Sequence, residues 1–248
     1  MKTLLSLSLA LLCCLALLGG CAKTDAPAAP EPSAQTEQSA AALTYEIEHT
    51  DLSEGLPVEM FFEIPVFSGE SDAARRINAD LADVKRAYLE NNAPAVLETV
   101  REMTGTEYGP TPEAPYCNAR TATVHTCDAA LVSVTIAYDW YMGGVMDYGV
   151  DSYAYDAVTG ERLTLRDLID APDDDIRASI ADAFLAQYPD SEDAGVTVPP
   201  ADAIRATDVA DFHFYVEDGK VHVVFNKYEI TCGAAGMFDV VLPDALGR

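Results

Sequence analysis

The stretch of this sequence with the most explicit chemistry is Leu18-Gly19-Gly20-Cys21, which closes an apolar run. A thiol preceded by two small residues suits a lipoprotein signal peptidase, because small side chains let an extended backbone enter the cleavage site. Diacylation of Cys21 would then anchor the mature chain, two acyl chains holding firmly where one is marginal. Met1-Lys2 supplies a short positive segment. The apolar run over 4–18 is about fifteen residues, too short for a stable membrane span. The spacing predicts a signal peptide over 1–20 and a lipidated Cys21, with the rest of the chain on the extracytoplasmic side of the cell membrane.

The other chemically capable residues form no recognisable constellation. His213 and His222 become diagonal neighbours if their strands pair, with Tyr215 between them, but two imidazoles alone make a poor metal site. His49 and His125 show no partners in the sequence. Cys13 and Cys14 leave with the signal peptide, so Cys117, Cys127 and Cys232 can form one internal disulfide at most. Cys117 and Cys127 flank what reads as one strand, roughly 30 Å long and far beyond bridging distance. A Cys117–Cys232 link, or no disulfide, are the two readings left. Asp173-Asp174-Asp175 reads as a charged helix start, since the spaced Asp/Asn-Gly-Glu order of a calcium loop is missing. Nucleophile-elbow, Walker, HExxH, CxxC and dinucleotide glycine patterns are also missing. The residues therefore point to no catalytic, metal or cofactor site.

Charge narrows the partners. The chain has 41 acidic and 15 basic residues, a formal net charge of −26. Such a surface repels nucleic acid and, by charge alone, anionic lipid headgroups and wall polymers. It attracts cationic proteins or divalent ions and speeds their encounter. The same acidity would also serve solubility alone.

The elements that must position any site follow from periodicity. Residues 22–43 are rich in Ala, Pro, Glu, Ser, Thr and Gln, and bury too little to offset ordering entropy. With Cys21 they form a linker over 21–43 that reaches on the order of 25 Å as a coil. Val58, Met60, Phe62, Ile64 and Val66 alternate with polar neighbours as a half-buried strand, with 45–50 as its shorter partner. Ile77, Leu81, Val84, Tyr88 and Leu89 lie on one stripe of a helix over 72–91, capped by Ser71 or Asp72. Pro94 suits the first turn of a second helix over 93–103. Strands are expected over 119–125, 130–141 and 149–156, the last with Tyr153 and Tyr155 on one face.

Thr164-Leu165-Arg166-Asp167 resembles a capping box, and Ile176, Ile180, Phe184 and Tyr188 form a later helical stripe. Asp218-Gly219 is a type I′ hairpin signal. Counting back from it sets Glu217 against Lys220, Val216 against Val221, Phe214 against Val223 and Phe212 against Phe225. His213, Tyr215 and His222 fall on the opposite face. A final strand over 237–242 closes this sheet. The class predicted is α+β, an antiparallel sheet with helices packed on one face. Two consecutive subdomains, 44–142 and 143–248, share or abut one core.

Gly143-Gly144, the segment from Tyr155-Asp156-Ala157 through Thr159-Gly160 to Leu168-Ile169, and Phe212-His213-Phe214-Tyr215 are similar to the RsiV-like domain. So are Phe225-Asn226-Lys227-Tyr228-Glu229-Ile230 and Gly233-Ala234-Ala235-Gly236. Val66-Phe67-Ser68-Gly69 with Arg76-Ile77-Asn78 resembles the uncharacterised domain usually found upstream of it. The resemblance spans about 45–243. Val145-Met146 stands where the family has Ala-His, and Lys227 where it has Pro.

Members include the ectodomain of the sigma-V anti-sigma factor, which binds lysozyme, and an accessory part of a peptidoglycan deacetylase. The sequence shows no sigma-binding segment, transmembrane helix or deacetylase domain. The resemblance implies a noncatalytic, surface-tethered module for an extracytoplasmic partner, a lysozyme-like muramidase or peptidoglycan. Tyr228 and Glu229, beside the Gly-Ala-Ala-Gly loop, are the candidate contact residues, because aromatic and charged loop residues often anchor interfaces. The competing expectation is an envelope glycan hydrolase using carboxylates or the His213/His222 face.

Overall fold

Period-two alternation in the first half of the chain builds one six-stranded sheet. Its strands are β1 (Thr44–Asp51), β2 (Val58–Ser68), β3 (Tyr116–Cys127), β4 (Leu131–Tyr141), β5 (Asp147–Asp156) and β6 (Arg162–Leu163), neighbours in that order. The computed structural model describes residues 43–195 and 197–243. The expected signal peptide, Cys21 and the linker up to residue 42 lie outside these residues.

Neighbouring strands run antiparallel except β2 and β3, which are parallel. A parallel pair needs a long crossover, here α1 (Asp72–Asn91) and α2 (Ala93–Met103). Ser71 caps α1 by accepting from the Ala74 N–H at 3.1 Å. Ile77, Leu81, Tyr88, Leu97 and Val100 of these helices bury against Met60, Phe62, Val132, Val134 and Tyr155 of the sheet.

The expected face of β2 holds only as far as Ile64. Val66 is exposed, and Phe67 is buried in its place. Pro65 has no N–H to offer a ladder. Past it, the Asn78 side chain of α1 accepts from the Phe67 N–H and donates to the Phe67 carbonyl, both at 2.8 Å. The amide stands in for a neighbouring strand and leaves Phe67 facing inward.

A second layer lies on the other side. Strands β7 (His213–Glu217), β8 (Lys220–Phe225) and β9 (Phe238–Val241) form a sheet accompanied by α3 (Leu165–Leu168), α4 (Asp173–Gln187) and α5 (Pro200–Ala206). Thr164 opens α3 with the expected capping box. Asp218 and Gly219 adopt φ of 51° and 73°, the left-handed pair a type I′ turn demands. The hairpin register is the expected one from Glu217 against Lys220 to Phe214 against Val223. Phe212 lies just before the strand, and its ring still meets Phe225 edge-on at 5.9 Å.

Phe184, Ile180, Ile204, Phe214, Val223 and Val240 make the core of this layer, joined by Leu131 and Ala154 of the large sheet. The α+β class thus holds, with two halves that abut. Position 142/143, expected as a subdomain junction, falls in the connection between β4 and β5, which pair from Trp140–Asp147 to Leu131–Asp156.

The free edge of β7 ends on hydroxyl groups of the large sheet. Ser152 accepts from the Phe214 N–H at 3.0 Å, Ser133 accepts from the Val216 N–H at 2.9 Å, and Thr126 donates to the Val216 carbonyl at 2.7 Å. Buried backbone groups need such partners, and the hydroxyls supply them without a further strand.

Of the two cysteine readings left open, the structure has the one without a disulfide. Cys117, Cys127 and Cys232 are all free thiols, so the Cys117–Cys232 bond is not formed. Cys127 instead donates to the Leu43 carbonyl at 3.0 Å, and Cys232 is exposed. The Asp triplet forms the charged first turn of α4 as expected, after an N-cap at Pro172 that has no side-chain bond. Asp173 takes two hydrogen bonds from Arg166 at 2.8 and 2.7 Å, and Asp174 pairs with Arg177. Among the described residues no helix is long and apolar enough to cross a membrane.

Candidate partner-binding surface

The chain leaves β8 at Asn226 and turns sharply. The Asn226 N–H donates to the Glu229 carboxylate at 2.8 Å, and the Glu229 N–H returns a bond to the Asn226 carbonyl at 3.2 Å. Between them Tyr228 sits at φ 73°, uncommon for a residue with a side chain. Asn226 is buried and pins the turn to β5. Its side chain accepts from the Val150 N–H at 2.7 Å and donates to the Val150 carbonyl at 3.0 Å.

The turn meets the β4–β5 connection through one lysine. Lys227 donates to the Met146 carbonyl at 2.6 Å, and its ammonium lies 5.5 Å from the Tyr148 ring and 5.2 Å from that of Tyr228. Tyr228 is 59% exposed and Val145 72%, and Met146 is nearly half exposed. Gly233 lies under the Tyr228 ring, and a Cβ there would come within 2.1 Å of it. Two loops distant in sequence thus present one aromatic and aliphatic surface on a braced backbone.

The two sequence candidates occupy different places in this surface. Tyr228 faces solvent. Glu229 turns inward, accepts from Asn226, and lies 3.5 Å from His213 Nε2. Burial disfavours its charged form, yet hydrogen bonds from His213 and the Asn226 N–H outweigh this and hold the carboxyl below its usual range. The same carboxylate raises the His213 imidazole, against the opposing effect of burial.

The sign of the pH dependence follows. A raised His contributes stability below its unfolded value, about 6.5, which is lost as pH rises through the folded value. A lowered Glu contributes above about 4.5, and that part is lost as pH falls. Wild type minus His213→Gln, followed as a difference in melting temperature, should peak between about pH 5 and 6.5. A flat difference from pH 4 to 9 would contradict the pairing.

Each of the four histidines faces a carboxylate: His49–Glu63 at 3.1 Å, His125–Glu217 at 3.3 Å, His213–Glu229 at 3.5 Å and His222–Asp239 at 3.0 Å. His213 and His222 are diagonal across β7 and β8 as expected, but they answer to separate acids. Tyr215 stacks between His222 at 4.5 Å and His125 at 3.9 Å, and donates to Asp239 at 2.6 Å. His125 comes from β3 of the other sheet, a partner no local spacing could reveal. Among the described residues no group of three or more His, Cys, Asp or Glu could hold a metal ion.

Residues 170–245 match the model of a family described as a protein of unknown function, DUF3298. A solved member of that family from Bacteroides fragilis NCTC 9343 is similar with a TM-score of 0.53 at 18% identity, over 85% of this chain and 96% of that one. This likeness reaches beyond the matched segment and shows a shared fold. A DUF3298 family protein from Pseudomonas aeruginosa PAO1 is similar at a TM-score of 0.46 and 16% identity, over 81% of this chain and 88% of that one. No curated protein matches the chain.

Proposed function

We propose that this chain, which carries a DUF3298 domain, is a noncatalytic binding protein tethered outside the cell membrane through a lipidated Cys21. Its contact surface is the braced pair of loops around Tyr228. The observation that carries this reading is the exposure of Val145, Met146 and Tyr228 on two loops joined by the Lys227–Met146 bond, on a chain of net charge −26. Exposed apolar clusters mark interaction sites, and rigid aromatic residues dominate their energetics. The surrounding acidity steers a cationic partner toward the surface.

A lysozyme-like muramidase is the partner the RsiV-like resemblance supports, with peptidoglycan as the second ligand. The glycan-hydrolase alternative joined His213 and His222 in one site, whereas each pairs with its own carboxylate, Glu229 and Asp239.

Calorimetric titration of lysozyme into the unlipidated Cys21→Ser chain is the test. The expected result is a complex at micromolar concentration that weakens with added salt. Tyr228→Ala should lower affinity about tenfold, or about 1.4 kcal/mol, with little change in melting temperature. No complex at that concentration, or one indifferent to Tyr228→Ala, would remove this reading. Mass spectrometry of the mature chain tests the anchor separately, through an N-terminus at acylated Cys21.

A further inference from the structure

Arginines in so acidic a chain should all find carboxylates, and among the described residues they do, with Arg120 excepted. Arg75, Arg76, Arg86, Arg101, Arg162, Arg166, Arg177 and Arg205 each have an acidic partner within 4.0 Å. The Arg120 guanidinium lies instead between two rings, 5.1 Å from the centre of Tyr88 and 5.0 Å from that of Tyr138. Its Nη1 is buried without a hydrogen-bond partner. A guanidinium donor left unpaired away from water is costly and calls for a partner.

The surroundings fix this arginine in place. Arg120 pairs across the ladder with Tyr138, and the Tyr88 hydroxyl donates to Asn118 at 2.8 Å, so both flanking rings are held. Arg120, Tyr88, Tyr153, Asn92 and Asp151 line a hollow of about 340 Å³ between α1 and the sheet. That size lies at the small end of ligand sites. The Asn92 side chain makes no capping bond to α2. Among the described residues the Asp151 side chain forms no hydrogen bond and no ion pair within 4.0 Å, Arg120 included, and acts on His213 only at longer range.

We propose that this hollow binds a small zwitterion of the α-amino-acid type, a free amino acid or a dipeptide. The ligand carboxylate meets Arg120 and the ligand ammonium meets Asp151. Guanidinium binds planar carboxylates with paired hydrogen bonds, and a cation flanked by aromatic faces keeps its donor edge for an anion. Asp151 on the same wall disfavours a phosphate dianion and favours a ligand that brings its own positive charge. The residues are distinct from those of the Tyr228 surface, so this site stands or falls apart from the protein partner.

Nuclear magnetic resonance titration of the Cys21→Ser chain with L-alanine, L-alanyl-L-alanine, alaninamide, N-acetylalanine, acetate and inorganic phosphate is the test. At least one of the two zwitterions should saturate below about 10 mM, and the other probes should bind roughly tenfold more weakly or not at all. The two zwitterions differ in charge separation, so the tighter one identifies the natural length. Arg120→Gln should abolish binding. Asp151→Asn, at an exposed position, should erase the preference for a free ammonium over the acetylated probe. Equal binding of alaninamide and alanine, phosphate or acetate binding as tightly as the zwitterions, or saturation by neither zwitterion would overturn the assignment, as would a preference unchanged in Asp151→Asn.

Discussion

Replacing Asn226 with Leu is expected to cost about 2–5 kcal/mol of unfolding free energy and to weaken partner binding as well. The side chain is buried and serves both the N–H and the carbonyl of Val150, at 2.7 and 3.0 Å. Leucine fills similar space but leaves both backbone groups unpaired away from water, at about 1–3 kcal/mol for each. Asn226 also begins the turn that holds Tyr228, so its loss should loosen Lys227 from Met146. Urea denaturation measures the first effect. Faster amide exchange at Val150 and at 227–229 measures the second. A loss under about 1 kcal/mol would mean that water satisfies Val150 and that the bridge is dispensable.

Phe184→Ala should be more damaging, by about 3–5 kcal/mol. Phe184 is fully buried on α4 and packs against Phe238 at 5.2 Å, Tyr188 at 5.6 Å and Phe225 at 6.2 Å. It therefore joins α4 to both β8 and β9, and truncation opens a cavity that three rings on separate elements cannot all collapse to fill. For a domain of this size the melting temperature should fall on the order of 10 °C. Phe184→Leu, which keeps most of the volume, should cost far less. Scanning calorimetry of the two variants separates a packing loss from a general intolerance of change at this position. Equal losses would contradict the cavity account.

The parts of the fold set by local chemistry were legible in the sequence. Asp218-Gly219 fixes a turn type, and alternation then leaves one register for β7 and β8. Ser71 and the stripe from Ile77 to Leu89 define α1 at both ends. What stayed hidden depends on partners far apart in the chain. The hydroxyls of Ser133 and Ser152 have no partner nearby in the sequence, and β7 arrives 83 and 62 residues later to donate to them. Phe67 displaces Val66 from the core because Asn78 binds its backbone, which period-two counting cannot anticipate. The histidine–carboxylate pairs were invisible for a different reason: 41 acidic residues leave no way to single out four.

The candidate surface was half legible. Likeness to a family drew attention to Tyr228 and Glu229, but the inward turn of Glu229 follows from His213 and Asn226. The part played by Val145 and Met146 follows from Lys227 reaching the Met146 carbonyl across 81 residues. In Arg120 the sequence offered only one more basic residue. Its meaning appears once every other arginine among the described residues is seen to be paired.

Hydrogen–deuterium exchange of the unlipidated chain with and without lysozyme tests the binding account most directly. Slowed exchange concentrated at 142–148 and 227–236 is the expected result, since those segments carry Val145, Met146, Lys227 and Tyr228. Protection confined to α4, at 173–187, or none at any concentration that saturates a micromolar complex, would contradict it.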